Sequence, residues 1–356
     1  MLGWGTVKAA AGKLALAIVA PILALALLEG LVSLVLAGRD FAGWRDRPNH
    51  ESRHSRYDAE LGWVNQPNVS LPNMYGPGRA LHTNARGFRG RAETADTPPP
   101  GRRRAICSGD SFTLGWGVRD EDTWCALLGT TLPDLETVNM GQGGYGFDQA
   151  YLWYRRDGLP LSHDIHIFAY ITDDLRRILH GRFDGYGKPV FALRGDSLVV
   201  TNVPAPERGA GWRAAARATD AVRGTRLFEL MQRLALRSPA RRVADSLARD
   251  SAAFAVAAAV IRRLADTHRG RGSSLILVHL PTSVDYGTAM SDGLRRRMAT
   301  VAAAEDIRYV DLVASFRALP PESVPALFLP RNGHYTPAGN RWVAGQLEPV
   351  IRSTGH

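Results

Sequence analysis

The stretch RAICSGDSFTLGWG, residues 104–117, sets a hydroxyl directly behind a short apolar run and two turn-forming residues, Gly109 and Asp110. A strand ending in such a turn exposes Ser111 Oγ at the rim of a sheet, with the N-terminus of the following helix aimed at any negative charge that develops there. That is the placement a nucleophile needs. The plain alternative is a serine that only caps a helix. Other chemistry-bearing residues organise less well. Gly115 and Gly117 do not make a dinucleotide fingerprint, because the Ser111 motif occupies the turn and no acidic strand-end partner follows. His163 and His166 have a metal-like spacing, but they flank a strand with no convergent third ligand, so they predict side chains at an exposed edge and no metal site. Cys107 and Cys125 are the only cysteines, too few for a disulfide framework or a thiolate metal centre. Cys107, inside an apolar strand, reads as a buried inert thiol.

The elements that would position Ser111 alternate between strands and helices. Strands are expected at 103–107, 135–139, 165–170, 274–281 and 307–312, and helices at 120–130, 147–157, 289–304 and 336–351, the last entered through Pro337. This alternation implies a parallel sheet covered on both faces, a three-layer α/β/α sandwich with its chemistry at the carboxyl ends of the strands. The stretch NMGQGGYG, residues 139–146, follows the second strand and permits a tight turn or close backbone approach. Residues 208–270, rich in Ala, Leu and Arg and punctuated by Ser238 and Pro239, predict two or three inserted helices that pack as a cap or flank. Trp116, Trp124, Tyr145, Phe147 and Tyr151 lie near the predicted site loops, where core packing is the default for most and lining of an acyl or sugar pocket the alternative.

Of the 356 residues, 45% are hydrophobic and 22% charged, the balance of a folded protein. The formal charge of +10 does not imply nucleic acid, since the arginines are scattered and no aromatic platform or long basic run organises them. Anionic headgroups or an acidic envelope polymer account for the excess equally well. From residue 14 to 38 the chain is almost uninterruptedly apolar, broken by Pro21 and Glu29. At about 1.5 Å per residue it spans a hydrocarbon layer of about 30 Å, and it exceeds the roughly 7–15 residues of a signal-peptide core, so an uncleaved transmembrane anchor is expected. Charge leaves the orientation balanced, with Lys8 and Lys13 before the run and Arg39, Arg45 and Arg47 after it. Residues 1–13 then form a short leading segment, 39–100 an approach segment and linker containing ETADTPPPGRRR, and 101–356 the main domain.

Four blocks, in this order, resemble those of the SGNH hydrolase family, the GDSL-like proteins, and in particular its bacterial membrane-anchored branch. GDSFTLGWGV resembles the nucleophile block, NMGQGGYG the glycine block, YITDDL the third block and NGHYTPAGNRW the terminal block; YDAELGWVNQPN and TNARGFRG resemble the segment that precedes the domain in that branch. The resemblance implies a flavodoxin-like sheet, with Ser111 as nucleophile, His334 as general base and the backbone N–H of Gly144 as an oxyanion donor. It implies hydrolysis of an O-acyl ester through an acyl-enzyme, without metal or organic cofactor. The implied partners are an acylated small molecule, lipid or envelope polysaccharide, with the anchor in the bacterial inner membrane and the main domain extracytoplasmic.

Two positions depart from the family pattern. Asp173 stands where the family places an oxyanion-donating Asn, and an ionised carboxylate has no N–H to donate. Asn332 stands where an Asp would support His334, and an amide does not stabilise imidazolium as a carboxylate does. The leading expectation is a membrane-tethered serine esterase. Its alternatives are a carbohydrate O-acyltransferase and a catalytically degenerate glycan-binding or scaffold protein.

Overall fold

The computed structural model describes residues 17, 19–32, 53–183, 186–195, 197–207, 243–330 and 333–354. The chain divides into two compact units, one of residues 1–46 and 209–244, the other of residues 47–208 and 245–356. In the first unit, residues 19–32 are helical and expose Ile22, Leu23, Leu25, Leu27 and Leu31. Among the described residues no helix is long and apolar enough to cross a membrane; residues 1–16 and 33–38, which include both ends of the expected anchor, lie outside them, as do its flanking charges.

The second unit is built on a five-stranded parallel sheet. Its strands are β5 (Arg103–Gly109), β6 (Leu135–Gly141), β7 (Ile165–Tyr170), β12 (Ser274–His279) and β13 (Arg308–Asp311), in the order β13-β12-β7-β5-β6. Taken along the chain this is a 2-1-3-4-5 order, so the winding reverses between β5 and β7 and opens a crevice at their carboxyl ends. Alternation along each strand sends side chains to opposite faces. Ile106, Phe168, Tyr170 and Leu277 join one core with helices α3 (Phe147–Trp153) and α5 (Val243–Arg271). Ala105, Cys107, Ile167, Ala169 and Val278 join another with α2 (Trp124–Thr131) and α9 (Pro337–Arg352). The expected three layers are therefore present.

Helix α5 buries Ala253, Val256, Ala257, Val260, Ile261 and Leu264, a stripe at i, i+3, i+4 and i+7 that seats it on the sheet. It is the described part of the expected helical insertion; residues 208–242, with Ser238 and Pro239, lie outside the described residues.

One reading changes, and two features lie beyond the expectations. Cys107 and Cys125 are not free thiols but a disulfide, with Cα atoms 6.3 Å apart. The alternation that buries Cys107 points it at α2, whose first turn turns Cys125 back onto the strand, so two fully buried sulfurs meet across the layer. Residues 182–201, unassigned by pattern, form short antiparallel strands: β8 (Arg182–Phe183) with β9 (Tyr186–Gly187), and β10 (Val190–Arg194) with β11 (Ser197–Thr201). Finally, the described part of the approach segment, residues 53–100, belongs to the same compact unit as the sheet. That segment contributes two antiparallel pairs, β1 (Ser55–Asp58) with β2 (Gly62–Asn65) and β3 (Ser70–Leu71) with β4 (Leu81–His82), and Leu61, Trp63 and Val64 of the first hairpin belong to the α3 core.

Candidate active site

Strand β5 ends at Gly109 in the crevice made by the winding reversal, and the chain turns at once into a four-residue helix, α1 (Ser111–Leu114). Asp110 caps it, accepting from Phe112 N at 2.8 Å. This cap forces the turn and leaves Ser111 at the head of the helix, buried to 5% exposure. Gly141, closing β6, lies so near α1 that a Cβ there would collide with the backbone of Leu114. The nucleophile turn and the glycine loop are thus packed backbone against backbone.

His334 reaches Ser111 from 223 residues further along the chain, with Nε2 2.8 Å from Oγ. Its backbone is fixed on either side. Its carbonyl accepts from Leu329 N at 2.7 Å, Tyr335 pairs with Phe328 in an antiparallel bridge, and Thr336 caps α9 by accepting from Gly339 N at 3.1 Å. The imidazole packs against Phe112 and Trp116, each ring centroid 4.8 Å away. Burial, with a smaller contribution from the Arg177 cation, lowers its pKa to about 4. The ring is therefore neutral at physiological pH and able to accept the Ser111 proton.

Arg177, on α4 (Thr172–Arg177), connects the other blocks. Its Nη1 donates to the Tyr145 carbonyl at 2.8 Å and to Asp174 Oδ1 at 2.8 Å, and lies 3.6 Å from Asp110 Oδ2. Burial pushes the Asp110 carboxyl up, against the pull of Arg177. Burial pushes Asp174 further up, aided by the neighbouring Asp110. One guanidinium thereby joins the residue before the nucleophile, the third block and the residue after Gly144.

Two adjacent acids in YITDDL part company. Asp174 turns inward and caps α4, accepting from Ile171 N at 2.9 Å. Asp173 turns outward, its side chain 59% exposed and bonded by Arg176 at 3.1 Å. The carboxylate expected to oppose an oxyanion stands in solvent, away from the buried Ser111. Thr172, the residue before Asp173, places Oγ1 3.1 Å from His279 Nε2 at the end of β12.

Gly144 sits in the loop between β6 and α3 with φ of 73°, a left-handed conformation, and a Cβ there would come within 2.6 Å of the Phe183 ring. Both constraints require glycine. Asn332 lies outside the described residues. His163 and His166, expected at an exposed edge, are buried instead. His166 bonds Ser108 Oγ at 2.5 Å through Nε2 and His268 at 3.0 Å through Nδ1, while His163 Nε2 meets Tyr154 OH at 2.8 Å. His166 lies on the central strand β7, and His163 just before it is held by Tyr154 and by the Leu161 carbonyl, which explains their burial; no group of residues able to hold a metal occurs among the described residues.

Arg177 and Arg89 are the residues that pattern did not single out. Arg89 is buried and donates to the carbonyls of Leu114 at 3.0 Å, Gly115 at 3.3 Å and Val118 at 2.8 Å, holding the turn after α1. Its place in TNARGFRG was the available signal.

No family model matches the chain, and no curated protein does. Solved structures similar to it include a member of the lipolytic protein G-D-S-L family from Veillonella parvula, at 13% identity and TM-score 0.41, over 70% of this chain and 99% of that one. Another is the lipase/acylhydrolase from Enterococcus faecalis, at 12% identity and TM-score 0.39, over 71% and 99%. A third is the acetyl xylan esterase AlAXEase, at 16% and 0.42, over 70% and 99%. These similar structures are lipolytic and ester-cleaving hydrolases. The functional reading of this chain rests on its own site.

Proposed function

We propose that this protein is a serine ester hydrolase that works through an acyl-enzyme on Ser111. The observation that carries the proposal is the 2.8 Å contact between His334 Nε2 and Ser111 Oγ, at the carboxyl end of β5 where the sheet reverses its winding. His334 takes the hydroxyl proton as Ser111 Oγ attacks the ester carbonyl, and the tetrahedral oxyanion is met by backbone N–H groups of Ser111 and Gly144. Collapse expels the alcohol, which receives the proton from His334; water activated by the same imidazole then cleaves the acyl-enzyme. The outward turn of Asp173 supports this reading, because it removes the anionic group that sequence set against the oxyanion.

The substrate in this reading is an O-acyl ester of an envelope carbohydrate or lipid, and the protein is tethered to the bacterial inner membrane with its catalytic unit outside the cytoplasm. The exposed apolar side chains of residues 19–32 support the tether. The Cys107–Cys125 disulfide supports an oxidising compartment. Turnover of p-nitrophenyl esters of graded acyl length tests the activity: hydrolysis that is lost in a folded Ser111→Ala variant is expected, and turnover unchanged by that substitution overturns the assignment.

A further inference from the structure

The segment ahead of the sheet carries the motif YDAELGWVNQPN, which the catalytic reading leaves without a role. In the structure it is the β1–β2 hairpin, and the hairpin is bonded along the whole glycine loop. Trp63 Nε1 donates to the Gly143 carbonyl at 2.8 Å, on the peptide unit whose N–H belongs to Gly144. Tyr145 OH donates to the Trp63 carbonyl at 2.6 Å, on the other side of Gly144. Around this pair, Asn65 Nδ2 donates to the Gly141 carbonyl at 3.3 Å, Gln142 Nε2 to Ser55 Oγ at 3.0 Å, and Gln149 Nε2 to the Leu61 carbonyl at 2.7 Å. Trp63 is 2% exposed, and its ring lies against Tyr145 and Phe183, the latter covering the α-carbon face of Gly144.

The Gly143–Gly144 peptide is planar, so a bond that fixes the direction of the Gly143 C=O also fixes the direction of the Gly144 N–H, which points the opposite way. With φ free to vary at glycine, that direction is otherwise weakly determined. We propose that Trp63 is a positioning residue for the oxyanion hole: its indole N–H, on a residue whose backbone carbonyl accepts from Tyr145 OH, sets the Gly143–Gly144 peptide so that the Gly144 N–H faces the reacting carbonyl. The hairpin is thereby part of the catalytic frame, not a spacer between anchor and enzyme. This rests on the reading of Gly144 as an oxyanion donor.

The test is Trp63→Phe in the full chain, which keeps an aromatic ring and removes the indole N–H, beside Tyr145→Phe, which removes the bond holding Trp63. Removing an oxyanion donor outright costs about 10²–10³ in kcat, and a donor left in place but misdirected costs a part of that. Each variant is expected to lose about tenfold in kcat on a p-nitrophenyl ester with KM within about twofold, since the interaction strengthens only in the transition state. The double variant is expected to lose much less than the product of the two, because both act on one peptide. Either variant, folded and with wild-type kcat, overturns the proposal, as does a fall in melting temperature with kcat per folded molecule unchanged. If Trp63→Phe does not fold, Tyr145→Phe decides alone. A wild-type protein that hydrolyses no ester overturns the underlying reading and this inference with it, whereas an active wild type with unaffected variants overturns only the inference.

Discussion

Acidifying the site should have an unusually small effect on the reactivity of Ser111. The base is His334, whose pKa burial and Arg177 lower from 6.5 to about 4. A base works in its neutral form, so reactivity is present above the folded-state pKa and is lost as pH falls through it. At pH 5 a group with a pKa of about 4 remains about 90% neutral, whereas one at 6.5 would be about 3% neutral. Between pH 7 and pH 5 the rate should therefore drop by about a tenth, against a drop of roughly 20- to 30-fold for an unperturbed imidazole. The assay is the rate of covalent labelling by a fluorophosphonate probe from pH 5 to pH 8, with far-ultraviolet circular dichroism at each pH to keep the comparison within the folded state. A midpoint near 6.5 would refute the reasoning, because it would mean that the imidazole is not enclosed by Phe112 and Trp116 as the structure has it.

Two further sets of substitutions probe the frame around the site. Lys188 Nζ and Asp148 Oδ2 are 2.6 Å apart and both side chains are fully buried, so Lys188→Met, which strands the carboxylate, should cost about 3–5 kcal/mol in urea unfolding, with Asp148→Leu restoring much of it in the double variant. A single variant as stable as wild type would contradict this. The disulfide closes a separation of 18 residues, and replacing both cysteines with alanine should lower stability by about 3 kcal/mol under oxidising conditions; equal stability of the two proteins would show that the bond does not constrain the unfolded chain.

The sheet was legible because its strands are short, apolar and separated by helical stretches. Ile165–Tyr170 appears with the bounds that the sequence suggests, and the other four strands shift by only a few residues at their ends. Ser111 was readable from its turn chemistry and His334 from its block, since both sit in local motifs. What pattern missed depends on contacts distant in sequence. Trp63 sits in the block YDAELGWVNQPN, but nothing in that block says what it serves, and only the fold brings its indole to a carbonyl 80 residues away. Arg177 is one arginine among many, and Arg89 is marked only by its place in TNARGFRG, until the structure groups the carbonyls and carboxylates they serve. The fates of Asp173 and Asp174 turn on the first turn of one helix, where neighbouring side chains point about 100° apart, so the residue that caps is buried and the other is exposed. The disulfide went unread because two cysteines 18 residues apart carry no local signal that the fold will bring them together, and the strands at 182–201 because runs of two to five residues lack a period long enough to detect.

The most direct test of the central claim is the intact mass of the protein after reaction with a fluorophosphonate probe, followed by peptide mapping. The account predicts one adduct, located on Ser111 and absent from Ser111→Ala and from a folded His334→Ala variant. A folded protein that stays unlabelled while a control serine hydrolase reacts, or an adduct that persists in Ser111→Ala, would contradict it.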